Sequence, residues 1–388
     1  MKEKIKVLEL FSGYGGASFA LTKAGIKHKS IGYSDIEKCA NYIYALNHGE
    51  DIKQLGDINK INPNDLPDFD LLTGGFPCQS FSLSGKREGF KAKDKGNLFF
   101  EIIRIANVKK PKFMLLENVQ GILSHDDGET MRVVLQELKR IGYFIHWKLL
   151  FSKNHGTPQN RPRVWIACFK EREDYDKFMF PETEKLVLTV KDLLEDEVDE
   201  KYYLSEQQLN KFNESTRYGD EVSSTLLSIG MCDVSIIPED FKIVDFRYDE
   251  GIRPRKDNVC PTLTCSNTGN GLSGQPIICD SYNKKMNNNK KYINTITTGY
   301  GRQGSSIEFI TINKQLYQHT KKWRRLTPTE CFRLMGFFND EIKFGDLSDS
   351  KLYFLAGNGW DINTASKIFT QMFVGNTNEQ KSFSEFDL

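Results

Sequence analysis

The 388-residue sequence lacks the features that define several large protein classes. Its eight cysteines, at 39, 78, 168, 232, 260, 265, 279 and 331, include no Cys-x-x-Cys pair and follow no regular framework. That argues against a zinc site or a disulfide scaffold and fits free thiols in a reducing compartment, so no metal is expected. No run of 18 apolar residues occurs, so no membrane-spanning helix is expected. Met1-Lys2-Glu3-Lys4-Ile5-Lys6 leads straight into a strand pattern without a secretory leader, and the expectation is a soluble cytoplasmic protein. Charge of one sign is also missing: 53 Lys and Arg stand against 52 Asp and Glu, for a formal net charge of +1. Neutrality does not exclude nucleic acid, because a binder needs only a local basic face. What remains is ordinary for a globular protein, 39% hydrophobic and 27% charged. The length exceeds the ~250–300 residues at which one core stops growing, so two domains are expected.

The first half alternates apolar β-type runs with helical patterns. Strands are expected at 5–10, 28–34, 69–73, 113–116, 144–151 and 164–169. Helices are expected after the glycine turn to about 24, over 36–47, from 97 onward and over 131–141. Such alternation implies an α/β fold, a Rossmann-like and mostly parallel sheet with helices on both faces. The closing pair, 144–151 and 164–169, has only a loop between its members and suggests an antiparallel edge. From 211 to 318 the text becomes rich in Asn, Thr, Ser and Gly. Two stretches there repeat one phrase: Cys260-Pro261-Thr262-Leu263-Thr264-Cys265 ahead of Gly269, Gly271 and Gly274, and Asn294-Thr295-Ile296-Thr297-Thr298 ahead of Gly299, Gly301 and Gly304. Such phrases suit short strands joined by loops that touch a ligand backbone, or plain hairpins. Thr327-Pro328-Thr329-Glu330 has the form of a capped helix start. That helix is expected to reach Met335, residues 353–359 to form a strand or loop, and 363–373 to form a last helix. The expected organisation is a catalytic domain at 1–185, a smaller, irregular β-rich domain at 186–322, and a C-terminal segment, 323–388, that bridges the two and returns to the first.

Leu8-Glu9-Leu10-Phe11-Ser12-Gly13-Tyr14-Gly15-Gly16 is a strand running into a glycine turn and a helix, a pattern that serves nucleotide-type cofactors in general. Asp35, at the end of the second strand, can accept from both hydroxyls of a ribose, and Asp57 suits an adenine amino group. These describe an adenosine pocket without separating NAD from S-adenosylmethionine. The absence of Gly-x-Gly-x-x-Gly spacing favours the sulfonium cofactor.

The loop Gly74-Gly75-Phe76-Pro77-Cys78-Gln79-Ser80-Phe81-Ser82 follows the third apolar run. Its glycines permit close approach of a ligand, and its proline fixes the direction of a thiol, the most nucleophilic side chain near neutral pH. A lone cysteine in a turn is more often buried structure. Beside it stand Leu116-Glu117-Asn118-Val119, a carboxylate at a strand end, and Gln159-Asn160-Arg161-Pro162-Arg163, two arginines at i, i+2 just before a strand. Gly357-Asn358 follows near the C-terminus.

With these five motifs in order over 5–169 and 324–373, the chain closely resembles the DNA cytosine-5 methyltransferases of the bacterial and phage type. The resemblance implies an S-adenosylmethionine-dependent enzyme that flips a cytosine out of duplex DNA, because the target atom is inaccessible in the stack. It implies that Cys78 adds to carbon 6, that Glu117 bonds the exocyclic amine and ring nitrogen 3, and that Arg163 with Arg161 holds the base carbonyl and a phosphate. It places Phe11, Gly13, Gly15, Gly16, Asp35, Ile36, Asp57, Ile58, Pro77, Leu98, Asn358 and Trp360 at the cofactor. The chain reads Gly359-Trp360 where the family often has Ser-Val, and a tryptophan can pack on the cofactor as well. Residues 79–96 resemble the family's closing loop, and DNA contacts are implied for Gln79, Ser80, Ser82, Lys86 and Arg87. The variable middle corresponds to the target-recognition domain, with contacts from Thr262, Thr264, Thr297 and Arg302. The basic run Lys321-Lys322-Trp323-Arg324-Arg325 suits phosphates, Arg324 among them.

The resemblance further implies a monomer in the bacterial cytoplasm, nucleoid-associated when acting, and admits a cognate restriction endonuclease as partner. A branch of the family acts on tRNA, but its recognition region is small, whereas this one exceeds a hundred residues. A nicotinamide oxidoreductase would leave Cys78, Glu117 and Arg163 without a role. Relatives that bind without catalysis typically lose the cysteine or the glycines, and both are present here.

Overall fold

Val7, Leu8 and Leu10 of the first strand (β1, Ile5–Leu10) are buried on both sides of the sheet, as a central parallel strand requires. The computed structural model describes residues 4–77, 98–203 and 325–374, together with the backbone of short strands between 242 and 324. By chain contacts it divides into two units: 1–150, 162–183 and 362–388 form the first, and 151–161 with 184–361 the second.

In the first unit β1 is followed by α1 (Gly16–Lys23), β2 (His28–Ser34), α2 (Lys38–His48), β3 (Leu71–Gly75), α3 (Leu98–Lys109), β4 (Phe113–Val119), α4 (Glu129–Arg140) and β5 (Phe144–Phe151). After a two-residue strand β6 (Gln159–Asn160), β7 (Pro162–Phe169) completes a six-stranded sheet in the order β2-β1-β3-β4-β7-β5. The pairs β1–β2, β1–β3 and β3–β4 are parallel, and β4–β7 is antiparallel. This is the mostly parallel α/β sheet expected from the alternation, with the antiparallel member lying directly against β4. On one face Leu8, Leu10, Leu72, Met114 and Leu116 pack with Phe99, Ile102 and Ala106 of α3 and Val134 and Leu138 of α4. Each large aliphatic buried there stabilises the fold by roughly 1.5–3 kcal/mol. Elsewhere in this unit α1 packs on the last helix, Ile362–Phe373.

The consequence for function lies at the carboxyl ends of the parallel strands. The glycine turn follows β1, Asp35 follows β2, Pro77 follows β3, and Glu117 with Asn118 closes β4. In open α/β sheets this edge is where ligands bind.

In the second unit, strands over 242–247, 251–254, 277–280, 309–311 and 322–325 form a five-stranded sheet. The two similar phrases become Leu263–Ser266 and Ile296–Gly299, which pair in parallel with Leu263 opposite Ile296 and Thr264 opposite Thr297. The register follows the repeat itself, position for position. Helix Pro328–Arg333 starts as expected, with a complete capping box between Thr327 and Glu330, a cap of about 1 kcal/mol. It ends two residues before Met335, the chain turning at Gly336 with φ 94°. Residues 353–359 are a correction: instead of a strand or loop they belong largely to helix Asp349–Asn358. Leu352, Tyr353, Leu355, Ala356 and Gly357 are its buried residues, and the spacing of the first four covers one helical face.

Candidate active site

The glycine turn is held by the protein's own acceptors. Phe11, Gly13 and Gly15 all have left-handed backbones, with φ of 53°, 54° and 85°. For Phe11 that is strain, of the kind that persists where surrounding structure enforces it. Ser12 N donates to Ser34 O at 3.1 Å, Gly15 N to Ser12 O at 2.8 Å, and Gly13 N to Asp35 Oδ2 at 2.9 Å. A dinucleotide pyrophosphate needs such amides free, so their use here counts against the nicotinamide reading.

Beneath the turn, Glu9 is almost fully buried and accepts from Ser18 Oγ at 2.5 Å and Tyr44 Oη at 2.5 Å. Burial, then the Glu9 charge, pushes the Tyr44 hydroxyl well above its ordinary pKa, so it stays a donor. His48 donates through Nε2 to Tyr14 O at 3.2 Å. Its ring fills the space that a Cβ on Gly15 would need, only 2.1 Å from Nε2. Sequence reasoning assigned Glu9 and His48 no part. An acid inside the apolar run Val7-Leu8-Glu9-Leu10 is the signal that could have found the first.

Asp35 accepts one amide on each oxygen, from Gly13 and from Glu37, the latter at 2.9 Å. Burial raises its pKa, and the amides of Glu37, Gly13 and Ile36 oppose the rise. Asp57 is held through Oδ1 by Asn59 N at 3.0 Å and Asn59 Nδ2 at 2.8 Å, and these bonds lower its pKa. Ile36 is 72% exposed beside Asp35, an unusual position for a large aliphatic. Ser12 Oγ is buried without a hydrogen-bond partner. An acid with unused lone pairs, an uncovered apolar wall and an orphaned hydroxyl fit an adenosine cofactor with a polar tail. Of the other expected cofactor residues, Gly16 is buried in the first turn of α1, Pro77 is exposed and Leu98 half-buried. Ile58 lies in the core, 3% exposed.

On the catalytic side, Arg163 Nε lies 2.7 Å from Glu117 Oε1. The two side chains sit on adjacent antiparallel strands as a diagonal pair two residues apart in register, since Glu117 faces Trp165 and Val119 faces Arg163. Burial lowers the Arg163 pKa, and the Glu117 charge partly restores it. Next to Glu117, Asn118 Nδ2 donates to Phe76 O at 2.9 Å. That bond ties the end of β4 to the backbone two residues before Cys78. The Phe76 and Phe99 rings, 5.2 Å apart, bring together the two ends from which residues 78–97 depart.

Arg161 departs from expectation. Its side chain is 1% exposed, and Nη2 donates to Gly359 O at 2.6 Å and Gly357 O at 3.2 Å. In this arrangement Nη2 is engaged by backbone carbonyls rather than turned toward a base carbonyl or a phosphate. Thr157 Oγ1 also donates to Asp361 Oδ1 at 3.0 Å. Asn358 and Trp360 stand in this same stretch of the second unit.

Cys78, Gln79, Ser80, Ser82, Lys86, Arg87, Thr262 and Arg302 lie outside the described residues. Thr264, Thr297 and Arg324 are described as strand backbone only. Among the described residues no group of three or more His, Cys, Asp or Glu is placed to hold a metal. Nor is any helix among them long and apolar enough to cross a membrane.

The fold is that of a Rossmann-like methyltransferase. The chain resembles the S. pombe Dnmt2 methyltransferase, with TM-score 0.58 and 21% identity over 95% of this chain and 98% of that one. It also resembles the Entamoeba histolytica methyltransferase EhMeth, with TM-score 0.60 and 16% identity over 96% and 99%. The model of the C-5 cytosine-specific DNA methylases matches residues 5–374, and the chain belongs to that family. Among curated relatives, the orphan methyltransferase M.SPRI of Bacillus phage SPR is 30% identical, covering 95% of this chain and 97% of the relative. The type II methyltransferase M.Bsp6I of Bacillus sp. strain RFL6 is 31% identical over 91% and 94%.

Proposed function

We propose that this chain methylates carbon 5 of a flipped-out cytosine at specific sites in duplex DNA, through a covalent adduct with Cys78. S-adenosylmethionine supplies the electrophilic methyl group. The Cys78 thiolate forms a carbon–sulfur bond at carbon 6, and the displaced electron pair moves toward ring nitrogen 3, where Glu117 provides a proton contact. That charge makes carbon 5 nucleophilic. After methylation, loss of the carbon-5 proton with cleavage of the carbon–sulfur bond releases Cys78. Arg163 orients Glu117 and holds the base carbonyl, for which its rigid fork is suited. Asp35, Ile36, Asp57 and the glycine turn bind the adenosine part of the cofactor, and the family motif adds Asn358 and Trp360.

The observation that supports this reading most is the buried Glu117–Arg163 pair at the end of β4, with Asn118 holding the backbone that leads to Cys78. Residues 1–185 would carry catalysis and 186–322 would read the DNA. The protein would act as a monomer in the bacterial cytoplasm, a setting that admits a cognate restriction endonuclease or an orphan enzyme alike.

The test is incubation with S-adenosylmethionine and duplex DNA containing 5-fluorocytosine, whose fluorine blocks the elimination. A covalent adduct should accumulate and be absent with Cys78→Ser. No adduct across varied duplexes, or an adduct that survives Cys78→Ser, overturns the mechanism. An adduct with RNA alone replaces the substrate.

A further inference from the structure

We propose that Arg161 is a positioning residue for the cofactor, acting through Asn358 rather than on the base. This inference rests on the reading of Asn358 and Trp360 as cofactor contacts. One guanidinium nitrogen, Nη2, donates to the carbonyls on both sides of Asn358, those of Gly357 and Gly359. Asn358 is the last residue of its helix, and Gly359 caps it in an extended conformation, with φ −80° and ψ 174°. The final carbonyls of a helix have no partner within it. Arg161 supplies one, and a cation suits the negative end of the helix dipole. The chain must leave the helix at this point and present Trp360, and the two bonds fix the direction in which it does so.

The segment that carries Arg161 is itself anchored. Thr157 Oγ1 reaches Asp361, Ser152 N donates to Arg161 O at 3.1 Å, and Glu184 N donates to Asn154 O at 2.9 Å. Thr157, Arg161 and Asp361 are each at most 2% exposed. Lysine keeps the charge, but its side chain is one bond shorter, so its ammonium falls short of the position that Nη2 holds between the two carbonyls.

Arg161→Lys is compared with wild type in the full-length protein, first by calorimetric binding of S-adenosylmethionine and S-adenosylhomocysteine and then by steady-state methylation. Loss of a charge-assisted bond predicts cofactor affinity about tenfold weaker or more. The cofactor KM should rise with it, while kcat at saturating cofactor stays within a factor of about three. Unchanged cofactor affinity with a fallen kcat overturns the inference and returns Arg161 to the DNA. A wild type that binds neither cofactor form overturns the underlying reading as well, which separates the two failures. Should Arg161→Lys fail to fold, Thr157→Val cuts the companion contact: weaker cofactor binding supports the inference, and unaltered binding overturns it. On an Asn358→Ala background, Arg161→Lys should cost less affinity than it does in wild type, since only the Trp360 share is left to lose. Full additivity of the two losses would place its effect elsewhere.

Discussion

Arg163 Nε stands 2.7 Å from Glu117 Oε1, with each side chain about a tenth exposed. Breaking a buried pair by removing one partner costs about 3–5 kcal/mol, because the other charge is left uncompensated. Partial exposure lowers this, and Glu117→Gln is expected to lose roughly 2–3 kcal/mol of unfolding free energy. Glu117→Gln with Arg163→Met should recover part of that stability and none of the methyl transfer. Urea unfolding and transfer of a labelled methyl group measure the two effects separately.

Asn118→Ala removes the donor to Phe76 O, a net loss of about 1 kcal/mol. Asp35, Asp57 and the glycine turn are untouched by this change. Cofactor affinity should therefore hold while adduct formation with 5-fluorocytosine slows. Equal losses in both would show that the bond supports the whole sheet edge rather than the loop bearing Cys78.

Gly15→Ala forces a side chain onto a left-handed residue, about 1–2 kcal/mol, and drives a Cβ into the His48 ring. Thermal melting should show a marked loss, and cofactor binding should weaken with it. Combining Gly15→Ala with His48→Ala removes the collision and should restore part of the melting temperature. The backbone component stays lost.

Burial lowers the His48 pKa below its ordinary 6.5, with Glu9 opposing. Between the lowered value and about 6.5 the unfolded chain binds a proton that the folded chain refuses. The contribution of this group to stability is therefore complete above about pH 6.5 and declines as the pH falls toward the lowered value. His48→Gln should flatten the melting temperature against pH over that interval, relative to wild type. A wild-type slope that survives the substitution would assign it to other histidines.

Burial raises the Asp35 pKa above its ordinary 3.8. Ribose hydroxyls donate to the ionised carboxylate, so cofactor affinity should fall as the pH drops through this raised value, earlier than for an ordinary aspartate. Asp35→Asn should bind more weakly at neutral pH and lose that dependence. Calorimetry between pH 4.5 and 7.5 would reveal both effects.

Much of the sheet was readable because strand and helix periods differ and because glycines and acids sit at strand ends. Glu117 and Asp35 were legible for that reason: each follows an apolar run that needs no carboxylate. The helix Asp349–Asn358 was not, since Tyr353–Gly359 mixes aromatic, small and glycine residues whose helical face emerges only with Leu352 included. The direction of Arg161 was hidden differently. Its acceptors are 196 and 198 residues away and are backbone carbonyls, which carry no side-chain signature. Thr157 and Asp361, 204 residues apart, were silent for the same reason.

The contacts around Arg161 also bear on how the gene could be divided. A break anywhere in 204–241 leaves Thr157 and Arg161 on one polypeptide and Gly357, Gly359 and Asp361 on the other. Neither piece would hold a complete helix-end clasp, so Asn358 would lack its fixed direction toward the cofactor until the two met. Complementation between such halves would then be reported by the return of methylation, and Arg161→Lys in the amino-terminal half would set how tightly they rejoin.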